Sequence, residues 1–249
     1  MPNPWDVGSA KLLASLGFEA LATTSSGFAA TLGRLDGNVS RDEAIAHSAS
    51  LASAVDVPVS ADLENCFGHA PGEVADTVRL AAATDLAGCS VEDFRGRSDG
   101  QIYELSQATE RVAAAVEVAH ADGRGLVITA RAENLLHGQG DLADTIARLQ
   151  AYEAVGADVL FAPGLRSLGD VASVIASVGR PVNVLSWPGG PTVAQLAAIG
   201  VRRISVGGSF SFVAMAAVAD AARELREEGT FGYLERAKAG RGLAATAFT

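Results

Sequence analysis

Residues 154–206 read AVGADVLFAPGLRSLGDVASVIASVGRPVNVLSWPGGPTVAQLAAIGVRRISV, and one phrase recurs in them three times. It appears as AVGADVL, as SVGRPVNVL and as AIGVRRISV. Each copy joins the end of a helical pattern, a glycine and a short apolar run. Because these runs are continuous rather than alternating, they predict strands buried on both faces, as in a parallel sheet. The stretch therefore predicts repeated strand–helix units.

The same alternation extends over the whole chain of 249 residues. Apolar runs predict seven strands, at 20–24, 57–61, 87–91, 125–130, 159–162, 181–185 and 203–206. Amphipathic segments predict helices at 40–54, 71–84, 106–121, 141–155, 167–178, 192–199 and 210–228. Ser40 followed by Glu43 forms a capping box at the start of the first of these helices. An eighth strand, first in the chain, is expected to be cut short at Met1.

Eight strand–helix units in about 250 residues favour a (β/α)8 TIM-type barrel, an α/β fold. Residues 1–249 are interpreted as a single domain because no linker-like composition divides them. The alternative is an open Rossmann-like sheet, but no GxGxxG follows a strand.

The charge, the cysteines and the hydropathy of the chain exclude several classes of protein. A net charge of −10 argues against a nucleic-acid partner, which needs clustered basic side chains. Cys66 and Cys89 form no CxxC pair, which fits a reducing compartment. No apolar run is long enough to predict a membrane span. We therefore expect a cytoplasmic protein with no nucleic-acid or membrane partner.

Acidic and basic residues follow several predicted strands at the point where each strand ends. In a barrel these ends meet at one rim, where active sites are built. The charged residues at these strand ends are Asp62 and Glu64, Glu92 and Asp93, and Arg131 and Glu133. Two further strand ends are followed by the turn at 25–27 and by Gly207-Gly208. Converging carboxylates repel one another, so the pattern predicts a cation, Mg²⁺ or Mn²⁺. Arg131 is expected to bind a substrate carboxylate, and the amides of 26–28 another anionic oxygen.

Each of these residues also has a structural interpretation. Acidic residues after strands often cap helices, and Arg131 could pair with Glu133 or Glu92. Cys89 is interpreted as core, and Cys66 as packing rather than a nucleophile, although His69 could approach it. The histidines at 47, 120 and 137 are expected to be structural or on the surface.

At these residues the sequence resembles the isocitrate lyase / phosphoenolpyruvate mutase superfamily, in particular its small bacterial members. The matching stretches are PNPWDVGSAKLL, GFEALATTSSGFAATLGRLDG, SADLENCFG, SVEDF, ITARAENLL and YEAVGADVLFAPG. The resemblance implies a Mg²⁺ site, chemistry on a 2-oxo acid or enolpyruvate, and a homo-oligomer, dimer or tetramer, with a swapped C-terminal helix.

The resemblance also assigns roles to individual residues. It implies metal-binding roles for Asp62, Glu64 and Glu92, and catalytic roles for Asp36, Glu92 and Arg131. It implies a substrate pocket formed by Trp5, Ser26, Gly27, Phe28 and Arg131. It implies a complete first strand ahead of PNPWD.

The segment after the third strand departs from the family pattern. It reads FRGRSDGQIYELS at 94–106, without the cysteine of the lyases or the lysine and asparagine of the mutases. Arg95, Arg97 and Ser98 could contact a distal anionic group instead. The sequence therefore predicts a Mg²⁺-dependent lyase or decarboxylase acting on a small 2-oxo dicarboxylic acid such as oxaloacetate, through an enolate. The alternatives are a phosphonopyruvate hydrolase or mutase type of C–P enzyme and a catalytically weak 2-oxo acid binding protein.

Overall fold

The computed structural model describes residues 1–121, 123 and 125–248, and it has the predicted α/β barrel architecture. The strands are β1 (Leu21–Ala22), β2 (Val59–Ala61), β3 (Gly88–Glu92), β4 (Val127–Arg131), β5 (Val159–Phe161), β6 (Val182–Leu185) and β7 (Arg203–Ser205). The helices are α1 (Val7–Ser15), α2 (Ser25–Thr31), α3 (Arg41–Ala52), α4 (Pro71–Ala82), α5 (Leu105–His120), α6 (Leu142–Ala154), α7 (Leu168–Ser177), α8 (Val193–Ala198), α9 (Ser209–Arg223) and α10 (Tyr233–Ala247), with a π-helical turn at Glu224–Glu228.

The strands pair in parallel in their chain order, from β1 to β7, so each crossover places a helix outside the sheet. This arrangement confirms the barrel and excludes the open Rossmann-like sheet. The predicted strand runs all lie on observed strands, and the capping box of Ser40 and Glu43 is present. The parallel order brings the carboxyl ends of all the strands to one rim.

The first three residues lie between β1 and β7 and nearly close the barrel. The amide of Ala22 donates to the carbonyl of Pro2 at 3.1 Å, and the Met1 ammonium donates to the carbonyl of Ile204 at 2.8 Å. The Asn3 side chain accepts from the amides of Val206 and Gly207 and donates to the Thr23 carbonyl. Within the described residues this segment takes the place of the expected eighth strand without having strand geometry itself.

Three of the observed helices, α1, α2 and α10, are not predicted from the sequence. Asp6 caps α1 and Thr24 caps α2, while α10 lies in a stretch with little apolar periodicity. The Ser25-Ser26-Gly27 segment, expected to be a turn, is the first turn of α2. Its preceding residue, Thr24, is extended and supplies the side-chain oxygen that an N-terminal cap requires.

The C-terminal arm, residues 209–248, differs from the barrel in its burial. Only Ser211 in α9 is buried, and no residue of α10 is. Large apolar side chains are exposed along the arm: Phe210, Phe212, Val213, Met215, Val218, Leu225, Phe231, Leu234, Leu243 and Phe248. Across the described part of the chain, every helix is too short or too polar to cross a lipid bilayer.

Candidate active site

Two adjoining cavities open at the carboxyl ends of the strands. The larger, about 390 Å³, lies under the loop that follows β3. The smaller, about 210 Å³, extends into the barrel interior. Ser25, Asp36 and Arg131 line both cavities, so the two form one continuous site.

Arg131, the last residue of β4, lies at the centre of the site. Its Nη1 atom is 2.7 Å from Glu92 Oε1 and 3.2 Å from Asp62 Oδ1, and its Nε atom donates to Glu133 Oε1 at 2.8 Å. Burial opposes the charge on this guanidinium, but Glu133, Glu92 and Asp62 outweigh it and raise the Arg131 pKa. Carboxylates from the ends of three neighbouring strands thus converge at this rim. Arg131 pairs with Glu92 and Glu133, as its structural interpretation expected.

Asp62 is held in place from two sides. The Ser25 amide donates to Asp62 Oδ2 at 2.9 Å, and the Asp62 amide donates to Thr23 Oγ1 at 2.8 Å. These contacts tie the end of β2 to the start of α2. The Asp62 carboxylate therefore has a fixed orientation before any ligand binds.

Glu64 and Asp36 add two further carboxyl groups, and in the part of the chain that the structure describes neither forms an ion pair with a buried cation. Burial, followed by the neighbouring carboxylates of Asp62 and Asp36, raises the pKa of Glu64 to about 8. Burial and Asp62 also raise the pKa of Asp36, whose nearest cation, Arg97, is 3.7 Å away and largely exposed. Burial likewise raises the pKa of Glu92, and Arg131 offsets this only in part. The site holds more carboxylates than its arginines can compensate.

The loop carrying Glu64 has an unusual backbone. Glu64, Cys66 and Phe67 all have positive φ angles, of 50°, 57° and 55°. Side chains other than glycine rarely adopt this conformation, which costs about 1 kcal/mol or more per residue. Contacts elsewhere must therefore hold the loop in position.

Arg111 of α5 supplies those contacts. Its side chain is fully buried, and it donates to the backbone carbonyls of Glu92 at 2.9 Å, of Gly68 at 3.0 Å and of Asn65. The guanidinium also lies 4.0 Å from the centre of the Tyr103 ring. The sequence analysis missed this residue, although an arginine on the apolar face of an amphipathic helix was a visible signal.

The predicted substrate pocket at 26–28 is only partly formed. Ser26 lines the smaller cavity. The Gly27 amide donates to Thr24 Oγ1 at 3.3 Å and the Phe28 amide to the Thr24 carbonyl at 3.0 Å, so both are already bonded within α2. The Phe28 ring stacks on His47, with ring centres 3.7 Å apart. Trp5 packs behind Gly27 rather than in the cavity lining.

The loop after β3 places Arg97 in the lining of the larger cavity and facing Asp36. Arg95 instead pairs with Asp99 at 2.8 Å, and Ser98 is exposed. His137, expected to be structural, also lines the cavity, where its ring stacks on Phe94.

The cysteines fit the structural interpretation. Burial raises the pKa of the Cys66 thiol to about 12, and burial also raises the pKa of the Cys89 thiol well above its usual range. Such thiols are poor nucleophiles at neutral pH. His69, the expected neighbour of Cys66, has its Nδ1 atom 2.6 Å from the Tyr103 hydroxyl.

The donor chemistry of the site fits Mg²⁺. The side chains that would hold the ion, Asp62, Glu64 and Glu92, offer only hard carboxylate oxygens. Burial raises the pKa of Glu64 and of Glu92, so a cation beside them would stabilise their charged forms. No three acidic, histidine or cysteine side chains of the described residues stand close enough to enclose an ion directly. That spacing suits an ion that keeps several of its waters, as Mg²⁺ usually does.

Comparison with known proteins places this geometry in a family. The model of the phosphoenolpyruvate phosphomutase family matches residues 1–226. The chain belongs to this family. It is thus an enzyme of the isocitrate lyase / phosphoenolpyruvate mutase superfamily, whose members are lyases and mutases acting on C–C or C–P bonds.

Three relatives show how widely the family's activities range. A candidate lyase/mutase of Burkholderia cenocepacia J2315 is 50% identical, with a TM-score of 0.94, over 98% of this chain and 88% of that one. An oxaloacetate decarboxylase of Bradyrhizobium sp. (strain BTAi1) is 30% identical over 81% of this chain and 70% of its own. A phosphonopyruvate hydrolase, solved with oxalate and Mg²⁺, is 25% identical with a TM-score of 0.83, over 95% of this chain and 84% of that one.

Proposed function

We propose that this phosphomutase-family enzyme is a Mg²⁺-dependent lyase that decarboxylates a small 2-oxo dicarboxylic acid of the oxaloacetate type. The observation that carries the proposal is the site around Arg131, where carboxylates from three strand ends meet at two adjoining cavities with Asp36 and Glu64. The similarity to an oxaloacetate decarboxylase over most of the chain supports it.

The residues of the site would have different roles in such a reaction. Asp62, Glu64 and Glu92 would hold the ion, directly or through its waters. A bound Mg²⁺ supplies stabilisation of the negative charge that develops on the 2-oxo oxygen. Ser26 and Arg131 face the same cavity and would bind substrate oxygens, in preference to Trp5, Gly27 and Phe28, which lie behind it.

The bond changes explain why the missing loop residues are no obstacle. The C3–C4 bond breaks, the terminal carboxylate leaves as CO₂, and its electron pair moves toward the 2-oxo oxygen. A solvent proton then adds to C3 to give a 2-oxo acid shorter by one carbon. No step needs a cysteine from the loop, and Asp36 would help to hold Arg97 over the cavity.

The test is release of pyruvate from oxaloacetate, measured against the decarboxylation that the same Mg²⁺ concentration produces without protein. We expect turnover that EDTA abolishes and that Asp62→Ala reduces to the background rate. The absence of turnover across a panel of 2-oxo dicarboxylic acids would overturn the proposal. Ligand binding without turnover would instead support a binding protein.

A second candidate is cleavage of the C–P bond of phosphonopyruvate. The similarity to a phosphonopyruvate hydrolase favours it, and the same excess of carboxylates would serve it. Release of phosphate from phosphonopyruvate at a rate exceeding pyruvate release from oxaloacetate would select this reaction.

We further propose that the protein is a homo-oligomer, a dimer or tetramer, assembled through its C-terminal arm. Ten large apolar side chains are exposed between Phe210 and Phe248, and exposed apolar surface on this scale usually marks an interface with a partner. The double variant Val213→Glu/Val218→Glu should sediment as a monomer, whereas Arg223→Gln, a polar change on the same helix, should not. A monomeric wild-type protein would contradict this assembly.

A further inference from the structure

Arg203, the first residue of β7, lies in the barrel interior without a counter-charge. Its Nη1 atom donates to Thr129 Oγ1 at 3.2 Å, and its Nε atom has no hydrogen-bond partner. No carboxylate among the described residues forms an ion pair with it. Burial lowers the pKa of Arg203 to about 10, with no acidic neighbour to offset the effect. The charge therefore remains, but it is uncompensated.

The neighbouring strand offers a second unsatisfied group. Asn183 pairs with Arg203 in the β6–β7 register and is only 3% exposed. Its Nδ2 atom donates to Ser205 Oγ at 3.1 Å, and its Oδ1 atom has no partner. Barrel interiors are normally filled by branched apolar side chains, so this polar layer is itself unusual.

The unsatisfied groups line a cavity that reaches the active site. Arg203, Asn183 and Thr129 line the smaller cavity of about 210 Å³, and Asp62 and Arg131 line the same cavity nearer the rim. A ligand at the rim could therefore extend one end down to Arg203. Arg97, the arginine of the loop, lines the larger cavity instead.

A water molecule alone would not resolve this arrangement. Water could bridge Arg203 Nε and Asn183 Oδ1, but it would leave a buried positive charge unpaired, which is costly. A carboxylate supplies both the acceptor oxygens and the opposite charge, in the planar geometry that a guanidinium matches. A half-turn of the Asn183 amide would direct its Nδ2 atom to the same anion and its Oδ1 atom to the Ser205 hydroxyl.

The identity of the bound carboxylate follows from the chemistry. A carboxylate held by a buried guanidinium is stabilised as an anion, which disfavours its departure as CO₂. The group at Arg203 must therefore be the one that the product retains. The leaving group then occupies the larger cavity, which opens toward the loop.

We propose that Arg203, with Asn183 and Thr129, forms a carboxylate-binding subsite inside the barrel that takes the carboxylate next to the 2-oxo group. The inference rests on the proposed function for the class of substrate, a 2-oxo acid, and for which of its two carboxylates the subsite takes. It assigns substrate orientation to residues one layer below the rim, which the sequence analysis did not single out for this role.

The test compares pyruvate with pyruvamide, in which a neutral amide replaces the carboxylate, by calorimetric titration in the presence of Mg²⁺. Wild-type protein should prefer pyruvate by about tenfold or more, the effect of a hydrogen bond to a charged group. In Arg203→Met this preference should fall to within about threefold, because the charge that distinguishes the two ligands is gone. Arg203→Lys should keep part of it, since the charge remains without the planar fork.

Matched controls separate a direct role from general damage. The exposed neighbour variant Arg202→Met should keep the wild-type preference, and so should Arg97→Met. Titration with Mg²⁺ alone should be unchanged in Arg203→Met, since the metal-holding side chains lie nearer the rim. If Arg203→Met does not fold, Thr129→Val, which removes one contact of Arg203, serves in its place and should lower the preference by a smaller factor.

The outcomes are distinct from those that bear on decarboxylation. An undiminished preference for pyruvate in Arg203→Met would overturn the proposal that Arg203 binds the carboxylate. Loss of the preference in Arg97→Met alone would show that the loop arginine binds the carboxylate instead. The titration measures binding and not turnover, so its result is independent of decarboxylation. If Arg203→Met loses the preference for pyruvate and the wild-type protein does not decarboxylate oxaloacetate, the subsite is supported and the proposed function is overturned.

Discussion

Arg131 and Arg111 are both buried guanidiniums close to the same loop, yet their surroundings differ in kind. Arg131 is bonded to three carboxylates and lines the cavities. Arg111 is bonded to three backbone carbonyls and an aromatic ring, outside the cavity lining. The first arrangement places a charged group where it can contact a ligand. In the second, the charged group only donates hydrogen bonds that hold the loop backbone. The difference separates a group that meets the substrate from one that positions other groups.

Replacing Arg131 should have the largest effect on activity. Arg131→Met leaves Asp62, Glu92 and Glu133 close together without their shared cation, so their mutual repulsion distorts the site. We expect kcat/KM to fall by about 10³-fold, the upper range for removal of one electrostatic contact in an active site. Steady-state kinetics with the substrate found by the pyruvate assay measures this. Retention of more than a tenth of the activity would show that Arg131 has no direct role in catalysis.

Replacing Arg111 should affect stability first. Arg111→Met removes this donor from the carbonyls of Asn65 and Glu92, leaves that of Gly68 with the Tyr103 hydroxyl at 3.5 Å, and releases the loop with positive φ angles. We therefore expect the free energy of unfolding to fall by about 3 kcal/mol. Urea denaturation measures this. Arg79→Met, which breaks an exposed ion pair with Asp76, should lower it by about 1 kcal/mol or less.

The kinetic behaviour of the same variant sharpens the distinction. Where Arg111→Met is still folded, its loss of kcat should be much smaller than that of Arg131→Met. An equal loss of kcat, without a loss of stability, would mean that Arg111 acts on the substrate rather than through the loop backbone.

His47 should give the smallest effect, and only at low pH. Burial lowers its pKa to about 4, from an unperturbed value near 6.5, as it stacks on Phe28. The unfolded chain therefore binds a proton more readily than the folded one, so the stabilising contribution is complete above about pH 6.5 and is lost as the pH falls toward 4. His47→Gln should flatten the pH dependence of the free energy of unfolding in that window. An unchanged slope would show that other groups produce it.

The sequence predicted the barrel and the rim carboxylates for one physical reason. Strands such as β4 and β5 are continuous apolar runs, and in a parallel barrel whatever follows them must meet at one end. Asp62, Glu92 and Arg131 were therefore identifiable from position alone. The short helix α2 was missed because its Ser-Ser-Gly start has the composition of a turn, and α1 because its capping residue follows a proline-containing stretch.

The residues that support the site were not predictable in the same way. Arg111 reaches carbonyls more than 40 positions away in sequence, and Arg203 reaches Thr129 across the barrel. Such contacts depend on how helices and strands pack in three dimensions, not on a local pattern. Trp5 and Phe28 show the converse, since they match family positions but lie outside the lining of the two cavities, with the Phe28 ring against His47.

The Asn3 side chain has a consequence for how the barrel opens. One amide joins the end of β1 to the end of β7, and it replaces much of the ladder that a full strand would provide. Local opening begins where few hydrogen bonds must break together. Deuterium should therefore enter the amides of Val206 and Gly207 sooner than those of β3 and β4, and the wall of the smaller cavity beside Asn3 should be the first part of the interior to exchange with solvent.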